Sequence, residues 1–411
     1  MLRARFIIVF LLLVLPGMAH AQTPLLESFW SDIQKVIASL SPYTHYPVRD
    51  VPVEAIRAKI NAGLTSCSTI TSSKEKYTCL KDLSDALLKE FSFKEMTTAL
   101  EYAQFDCHDL MHQIAQGEYR ITGNLADVYK DANFACFGAA YHGAVEGYFL
   151  THELDHAAST QDLEKGVLSA CPATLQESSP SLFAQCAHGT GHALMFVLAN
   201  QLPQALKLCD TFAQEYERVN CYGGAFMENV PNAQLSPHEV LYIRADDPLY
   251  PCDFLDERYA KVCYTFQVAH VQGSVSKKGM FCASVPVTYQ NDCYYNIGTG
   301  MPGIPGMSLS HPMSMVDACI ALGGGRPAEQ CIRGLVGSFV DRYATIPDKF
   351  FGMFDFCKTV PGRYTEACYM KTGEMMRDFL IGNTQENQNA CYRAGDWRGA
   401  CLAGLAHEVS P

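Results

Sequence analysis

Apolar residues recur at three- and four-residue spacing along most of this chain, the interval of one face of an α-helix. CAHGTGHALMFVLA from Cys186 and CYMKTGEMMRDFL from Cys368 show it, and DLEKGVLSAC (Asp162 to Cys171) and LPQALKLC (Leu202 to Cys209) also read as helices. Strand signals are weak. Short polar or proline- and glycine-bearing segments, such as Thr359 to Gly362, separate the helical stretches. MPGIPGMSLSHPM (Met301 to Met313) predicts a loop, because its prolines and glycines cannot continue a helix. SPYTHYPVRDVP (Ser41 to Pro52) parts an N-terminal helix, Leu25 to Leu40, from the rest of the chain. The pattern predicts an all-α fold.

Cysteine spacing turns these helices into repeats. Sixteen of the 18 cysteines fall into close pairs: Cys67/Cys79, Cys171/Cys186, Cys209/Cys221, Cys252/Cys263, Cys282/Cys293, Cys319/Cys331, Cys357/Cys368 and Cys391/Cys401. Each pair encloses nine to fourteen residues, and from Cys171 the first members recur every thirty to forty-three. A fixed period of this size signals a repeat architecture. Each unit reads as helix A, a connection bounded by two cysteines, then helix B. The remaining Cys107 and Cys136 both open a helix B by the same ruler and would link neighbouring repeats. The expected fold is an α/α superhelix or toroid of about nine disulfide-pinned hairpins. That plan suits a chain longer than one compact core, since each repeat packs only on its neighbours.

The N-terminus has the parts of a secretory signal: Arg3 and Arg5, the apolar run Phe6 to Leu15, and Ala19-His20-Ala21 as a cleavage site. No later stretch approaches the ~20 apolar residues of a membrane span. An even, high cysteine count fits the same oxidising route, so the chain is expected to be secreted or periplasmic. Net charge is −12, which argues against a nucleic-acid partner. The chain divides into a signal (1–21), an N-terminal helical segment (22–100), histidine-rich repeats (101–275) and C-terminal repeats (276–411).

Measured from the cysteines, the histidines fall into register. HDLMH sets His108 and His112 four apart, YHGAVEG sets His142 and Glu146 four apart, and AHGTGH sets His188 and His192 four apart. Residues four apart share a helix face. His112, His142 and His192 stand five or six residues after their cysteine, and Glu228 and His270 seven after theirs. Imidazoles and carboxylates aimed at one point from successive helices build a transition-metal site for Zn, Fe, Cu or Mn. His108, His112, His142, His188, His192 and His270 are the expected ligands, with Glu146, Glu228 and Glu153 as ligand or general base. HELDH adds an alternative pair, His152 and His156, in the HExxH spacing of zinc peptidases. If the helix ran on from Cys136, then His142, Glu146, Glu153 and His156 would share one stripe.

ACYRAGDWRGACLAGLAH (Ala390 to His407) resembles the disulfide-linked Sel1-like helical repeats, and LCDTFAQEYERVNCYGGAF resembles them more loosely. The resemblance implies a superhelical α/α array and no particular activity. The histidine pairs are similar in layout to deoxyhypusine hydroxylase, a helical-repeat enzyme with two irons, although its adjacent His-Glu dipeptides are absent. CYGG (Cys221 to Gly224) and CAHG (Cys186 to Gly189) resemble short motifs of lanthionine-synthetase cyclases, but disulfide pairing accounts for both cysteines. The function expected is a metal-dependent hydrolase or oxidase acting on a small molecule or peptide. The alternatives are a non-enzymatic peptide- or protein-binding scaffold and an HExxH metallopeptidase.

Overall fold

The computed structural model describes residues 52–101, 103, 106–154, 157–172, 180–229, 240–244, 246–304, 307, 311–343, 351–379 and 384–406. The signal, the Leu25 to Leu40 helix, His156 and His407 lie outside them. Among the described residues there is no strand, and the helices follow one another as hairpins. Helices α1 (Val53–Ser68) and α2 (Ser73–Glu90) form the first. Then come α3 (Phe93–Leu100), α4 (His108–Thr122), α5 (Leu125–Asp131), a 3₁₀ turn (Ala135–Gly138) and α6 (Ala139–Thr151). Next are α7 (Thr160–Ala170), α8 (Pro180–Val197), α9 (Leu202–Cys209), α10 (Glu215–Glu228) and α11 (Glu257–Gln267). The C-terminal part holds α12 (Val275–Ser284), α13 (Gln290–Gly300), α14 (Pro312–Ile320) and α15 (Gly325–Tyr343). It ends with α16 (Gly352–Thr359), α17 (Gly362–Phe379), α18 (Thr384–Ala390) and α19 (Arg398–Ala406). Ser72, Ser92 and Ser159 cap α2, α3 and α7 by accepting a backbone N–H, the usual device for starting a helix.

All eight close cysteine pairs are disulfides: Cys67–Cys79, Cys171–Cys186, Cys209–Cys221, Cys252–Cys263, Cys282–Cys293, Cys319–Cys331, Cys357–Cys368 and Cys391–Cys401. Cys107–Cys136 is the ninth. The expectation that the second cysteine of each close pair opens helix B is corrected, because in every one of them the helix starts earlier. Helix α2 begins at Ser73 ahead of Cys79, α8 at Pro180 ahead of Cys186, and α10 at Glu215 ahead of Cys221. Helix α11 begins at Glu257 ahead of Cys263, α13 at Gln290 ahead of Cys293, and α15 at Gly325 ahead of Cys331. Helix α17 begins at Gly362 ahead of Cys368, and α19 at Arg398 ahead of Cys401. The physical reason is reach. The bridged Cα atoms of the close pairs stand 5.5–5.7 Å apart, and each second cysteine lies three or more residues into helix B, where that helix has come alongside the segment bearing the first. Met301 to Met313 is also corrected at its ends, with a 3₁₀ turn at Met301–Gly303 and the start of α14 at Pro312. By the chain-entropy model each ring of this size stabilises the fold by up to ~3 kcal/mol.

Helices B stack on one another, most closely in the pairs α4/α6, α8/α10, α13/α15 and α17/α19. Glycine makes the crossings possible. A Cβ built at Gly224 would overlap the His188 carbonyl oxygen, and one at Gly191 would overlap that of Cys221. Gly298/Gly334 and Gly373/Gly404 stand in the same reciprocal relation in α13/α15 and α17/α19. Backbone therefore meets backbone between neighbouring helices, and side chains at the crossing reach across to the next helix. Helix α15 also packs on the 3₁₀ turn Ala135–Gly138, so the array curves back toward its beginning. Buried apolar residues from Val145 to Cys401 form one continuous core.

Candidate metal centre

Four consecutive helices B build the site. Helix α6 is its middle layer: every residue from Ala139 to Gly147 is buried, because α4 covers one side and α8 the other. Three left-handed residues, Cys136 (φ 53°), Phe137 (φ 60°) and Gly138 (φ 74°), lead into it. The first two hold a conformation that only glycine takes freely. The Cys107–Cys136 disulfide ties this turn to the residue that precedes His108.

His108, His112, His142, His188 and His192 come together. His112, His142 and His192 are buried at the centre, with ring centroids 5.2–5.4 Å apart; His108 and His188 stand at the partly exposed rim. Their nitrogens form two overlapping sets, His108/His112/His142 and His142/His188/His192, each with one atom per residue within 4.8 Å of the others. His142 belongs to both.

Hydrogen bonds orient the rings. His112 Nδ1–H donates to Glu146 Oε1 at 2.8 Å, and Gln116 Nε2 donates to Glu146 Oε2 at 2.6 Å. His108 Nδ1–H donates to the Cys136 carbonyl at 2.9 Å. The other module repeats this: His192 Nδ1–H donates to Glu228 Oε1 at 2.6 Å, and His188 donates to the Asn220 carbonyl. Helix pairs α4/α6 and α8/α10 are thus two copies of one arrangement. Gly224 stands four residues before Glu228, where α6 has His142 four before Glu146. His142 is held from α8, its Nε2–H donating to Gln185 Oε1 at 2.8 Å.

These bonds decide which nitrogens face inward. His108 Nε2 and His112 Nε2 point at each other 3.2 Å apart, each on a ring whose proton is already committed at Nδ1. Two imidazole nitrogens on one tetrahedral zinc stand about 3.3 Å apart, from a Zn–N distance of about 2.05 Å. His142 Nδ1 and His192 Nε2 are buried without a hydrogen-bond partner. Buried nitrogens in that state are rare unless something fills the gap between them. The donor set therefore fits a borderline or soft transition ion and not a hard, oxygen-seeking one.

Burial favours the neutral form of His108, His142, His188 and His192, the protonation state a ligand needs. His108 is pulled down to about 3, by desolvation first and then by His112. Desolvation holds His188 near about 4. His142 and His192 lie well below the ordinary histidine value, for burial first and neighbouring imidazoles second. Glu228 is pushed well above the usual carboxylate range by desolvation, then by Glu146 and Asp109, and its Oε2 has no partner.

Other expected site residues lie elsewhere. His270 sits on the 3₁₀ turn Val268–His270, lowered to about 4 by burial and by Lys278, and belongs to neither histidine set. The helical reading of HELDH is overturned. Helix α6 ends at Thr151, His152 Nδ1–H turns back to the Tyr148 carbonyl at 2.9 Å, and Glu153 is exposed in a left-handed conformation (φ 54°). His152 and Glu153 thus form a helix terminus, not the helical face that HExxH chemistry requires. Residues the sequence pattern did not reveal are Gln116, Gln185 and the carbonyls of Cys136 and Asn220. Gln116 was within reach, since it stands four residues beyond His112 on the same face.

No protein-family model matches the chain, and no curated protein or solved structure matches it either. The site must be judged on its own chemistry. Nine disulfides, with no free cysteine among the described residues, are the chemistry of an extracellular or periplasmic compartment. No described helix is long and apolar enough to cross a membrane.

Proposed function

We propose that the protein is a secreted or periplasmic metal-dependent hydrolase whose centre is the five-histidine cluster. The observation that carries this is the convergence of unprotonated nitrogens, above all the facing His108 and His112 Nε2 atoms at 3.2 Å. Nothing but a proton or a metal ion relieves two lone pairs so placed. Glu146 and Glu228 act from behind the ligands, in the carboxylate–histidine–metal relay that fixes ring orientation and raises imidazole basicity. Glu146 need not be a ligand, since both its oxygens are already occupied.

The donor chemistry supports catalysis over a closed structural role. His108, His112, His142, His188 and His192 would hold a divalent ion without compensating its charge, and such an ion would supply Lewis acidity toward water. His108 and His188 lie at the accessible edge, so a small molecule or peptide approaches from there. Glu228, with one oxygen unpartnered, is the group proposed to hold a proton beside His192. The test is metal analysis of untagged protein made in an oxidising compartment, followed by uptake of Zn, Cu, Fe and Mn and a hydrolysis screen. Tight, stoichiometric uptake abolished by His112→Ala and His142→Ala supports the centre. Protein that takes up none of the four metals removes it.

A further inference from the structure

A second feature lies well along the chain from the histidines. The end of α11 with its 3₁₀ turn, together with α12, α13 and α14, encloses a cleft of about 890 Å³. That is within the range of small-molecule sites, roughly 300–1,000 Å³. Val271, Val275, Ile297, Ala318 and Leu322 give it an apolar lining, and one cation, Lys278, lines it too. The Lys278 ammonium donates to the Val268 carbonyl at 2.8 Å, which occupies one of its three hydrogens. No carboxylate among the described residues forms an ion pair with it. Desolvation lowers its pKa, the mark of a cation short of compensating charge. A half-buried ammonium on an apolar wall is unfavourable until an anion meets it. The nearby His270 ring cannot supply one, because an imidazole is either neutral or cationic.

We infer that this cleft binds an amphipathic organic anion, an aliphatic carboxylate whose acid group meets Lys278 and whose hydrocarbon chain lies along Val271, Val275, Ile297 and Leu322. The site is independent of the metal centre and shares no residue with it. Asn296 also lines it, with its amide N–H committed to the Thr265 carbonyl at 2.6 Å and its amide oxygen left as an acceptor. Among the described lining residues there is no second cation, so a monoanion fits better than a dianion.

Isothermal titration of the mature, disulfide-bonded protein with hexanoate, octanoate, decanoate and decanol tests this. Decanoate should bind with one-to-one stoichiometry, affinity should rise roughly fourfold per methylene, and decanol should bind at least tenfold more weakly. Lys278→Met should erase the preference for acid over alcohol. Ala321→Trp, placed at an exposed position on the cleft's edge, should block both ligands while leaving metal uptake unchanged. Equal binding of decanol and decanoate, full retention of decanoate affinity in Lys278→Met, or undiminished binding in Ala321→Trp would overturn the assignment. So would the absence of saturable binding by any chain length. In that last case Lys278 serves only to cap the end of α11, and its replacement would lower thermal stability alone.

Discussion

Replacing Glu146 and Glu228 by glutamine separates an orienting role from a ligating one. In Glu146→Gln the amide oxygen can keep its place 2.8 Å from His112 Nδ1, and a flip of the Gln116 amide satisfies the new NH₂. What disappears is the negative charge behind the imidazole. Burial, Glu146 and Asp109 hold Glu228 well above the ordinary carboxylate range, so the uncharged amide is tolerated there in the metal-free protein. Loss of an outer carboxylate costs 10–100-fold in metal affinity, about 1.4–2.8 kcal/mol. The assay is competitive titration against a chromophoric chelator at pH 7.5, with a cobalt(II) spectrum and a thermal melt on each variant. Each glutamine variant should lose affinity within that range and keep the wild-type cobalt bands. His112→Ala should lose much more and alter the bands. Unchanged affinity in both glutamine variants would refute the relay. A changed cobalt spectrum in either would instead make that glutamate a ligand.

Three further outcomes rest on the same geometry. His142→Ala removes the ring common to both histidine sets and should abolish binding, whereas His188→Ala should leave the His108/His112/His142 set able to take up metal; titrated stoichiometry distinguishes them. His108 near about 3 and His188 near about 4 bind protons more weakly folded than unfolded, where the ordinary value is 6.5. Their neutral forms therefore favour folding fully above about pH 6.5, and stability falls as pH drops toward 4, by roughly 1.4 kcal/mol per unit for each ring; metal-free thermal melts from pH 4 to 8 measure the slope, and a flat profile contradicts it. The double change Cys107→Ala with Cys136→Ala should cost about 3 kcal/mol or more and weaken metal binding, because the turn that holds His108 is freed; Cys391→Ala with Cys401→Ala should cost comparable stability and spare the affinity.

The cysteine ruler placed His192 for a reason the chain alone did not show, whereas His112 and His142 were counted from Cys107, the N-cap of α4, and Cys136, in the left-handed turn before α6. The second cysteine of each close pair lies inside helix B, so counting from it counts along one rigid helix and preserves angular phase. Had the cysteines bounded the loop, as their spacing suggested, variable loop geometry would have scrambled that phase. What escaped the sequence was partnership across helices. The i,i+4 spacing of His142 and Glu146 reads as one pair on one face, yet Glu146 bonds His112 on α4 and His142 is held by Gln185 on α8. Periodicity along one helix carries no information about which neighbour lies opposite. HELDH failed for a different reason. Extrapolating the face past Thr151 assumed a helix that Glu153 ends by turning left-handed, and nothing in its residue type announces that turn.

The combination of short disulfides and glycine crossings answers a problem posed by the site itself. Bringing five imidazoles together without a metal leaves His142 Nδ1, His192 Nε2 and Glu228 Oε2 buried and unpartnered, at roughly 1–3 kcal/mol each. A pliable helical stack would relax by opening α4/α6 or α8/α10 and letting water in. Gly224 and Gly191 remove that freedom by locking backbone against backbone at the α8/α10 crossing, where rotation of either helix meets a carbonyl. The disulfides hold α8 and α10 to their own helices A through Cys171–Cys186 and Cys209–Cys221. The unfavourable cluster is thus kept assembled by covalent and steric constraints outside it, and an ion bound there would recover the free energy of the orphaned imidazole nitrogens. Gly224→Ala should therefore harm metal affinity more than its distance from the ligand atoms suggests, because the methyl group would push apart the crossing that aims His188 and His192. A variant with loosened helices and undiminished affinity would show that the histidines organise themselves.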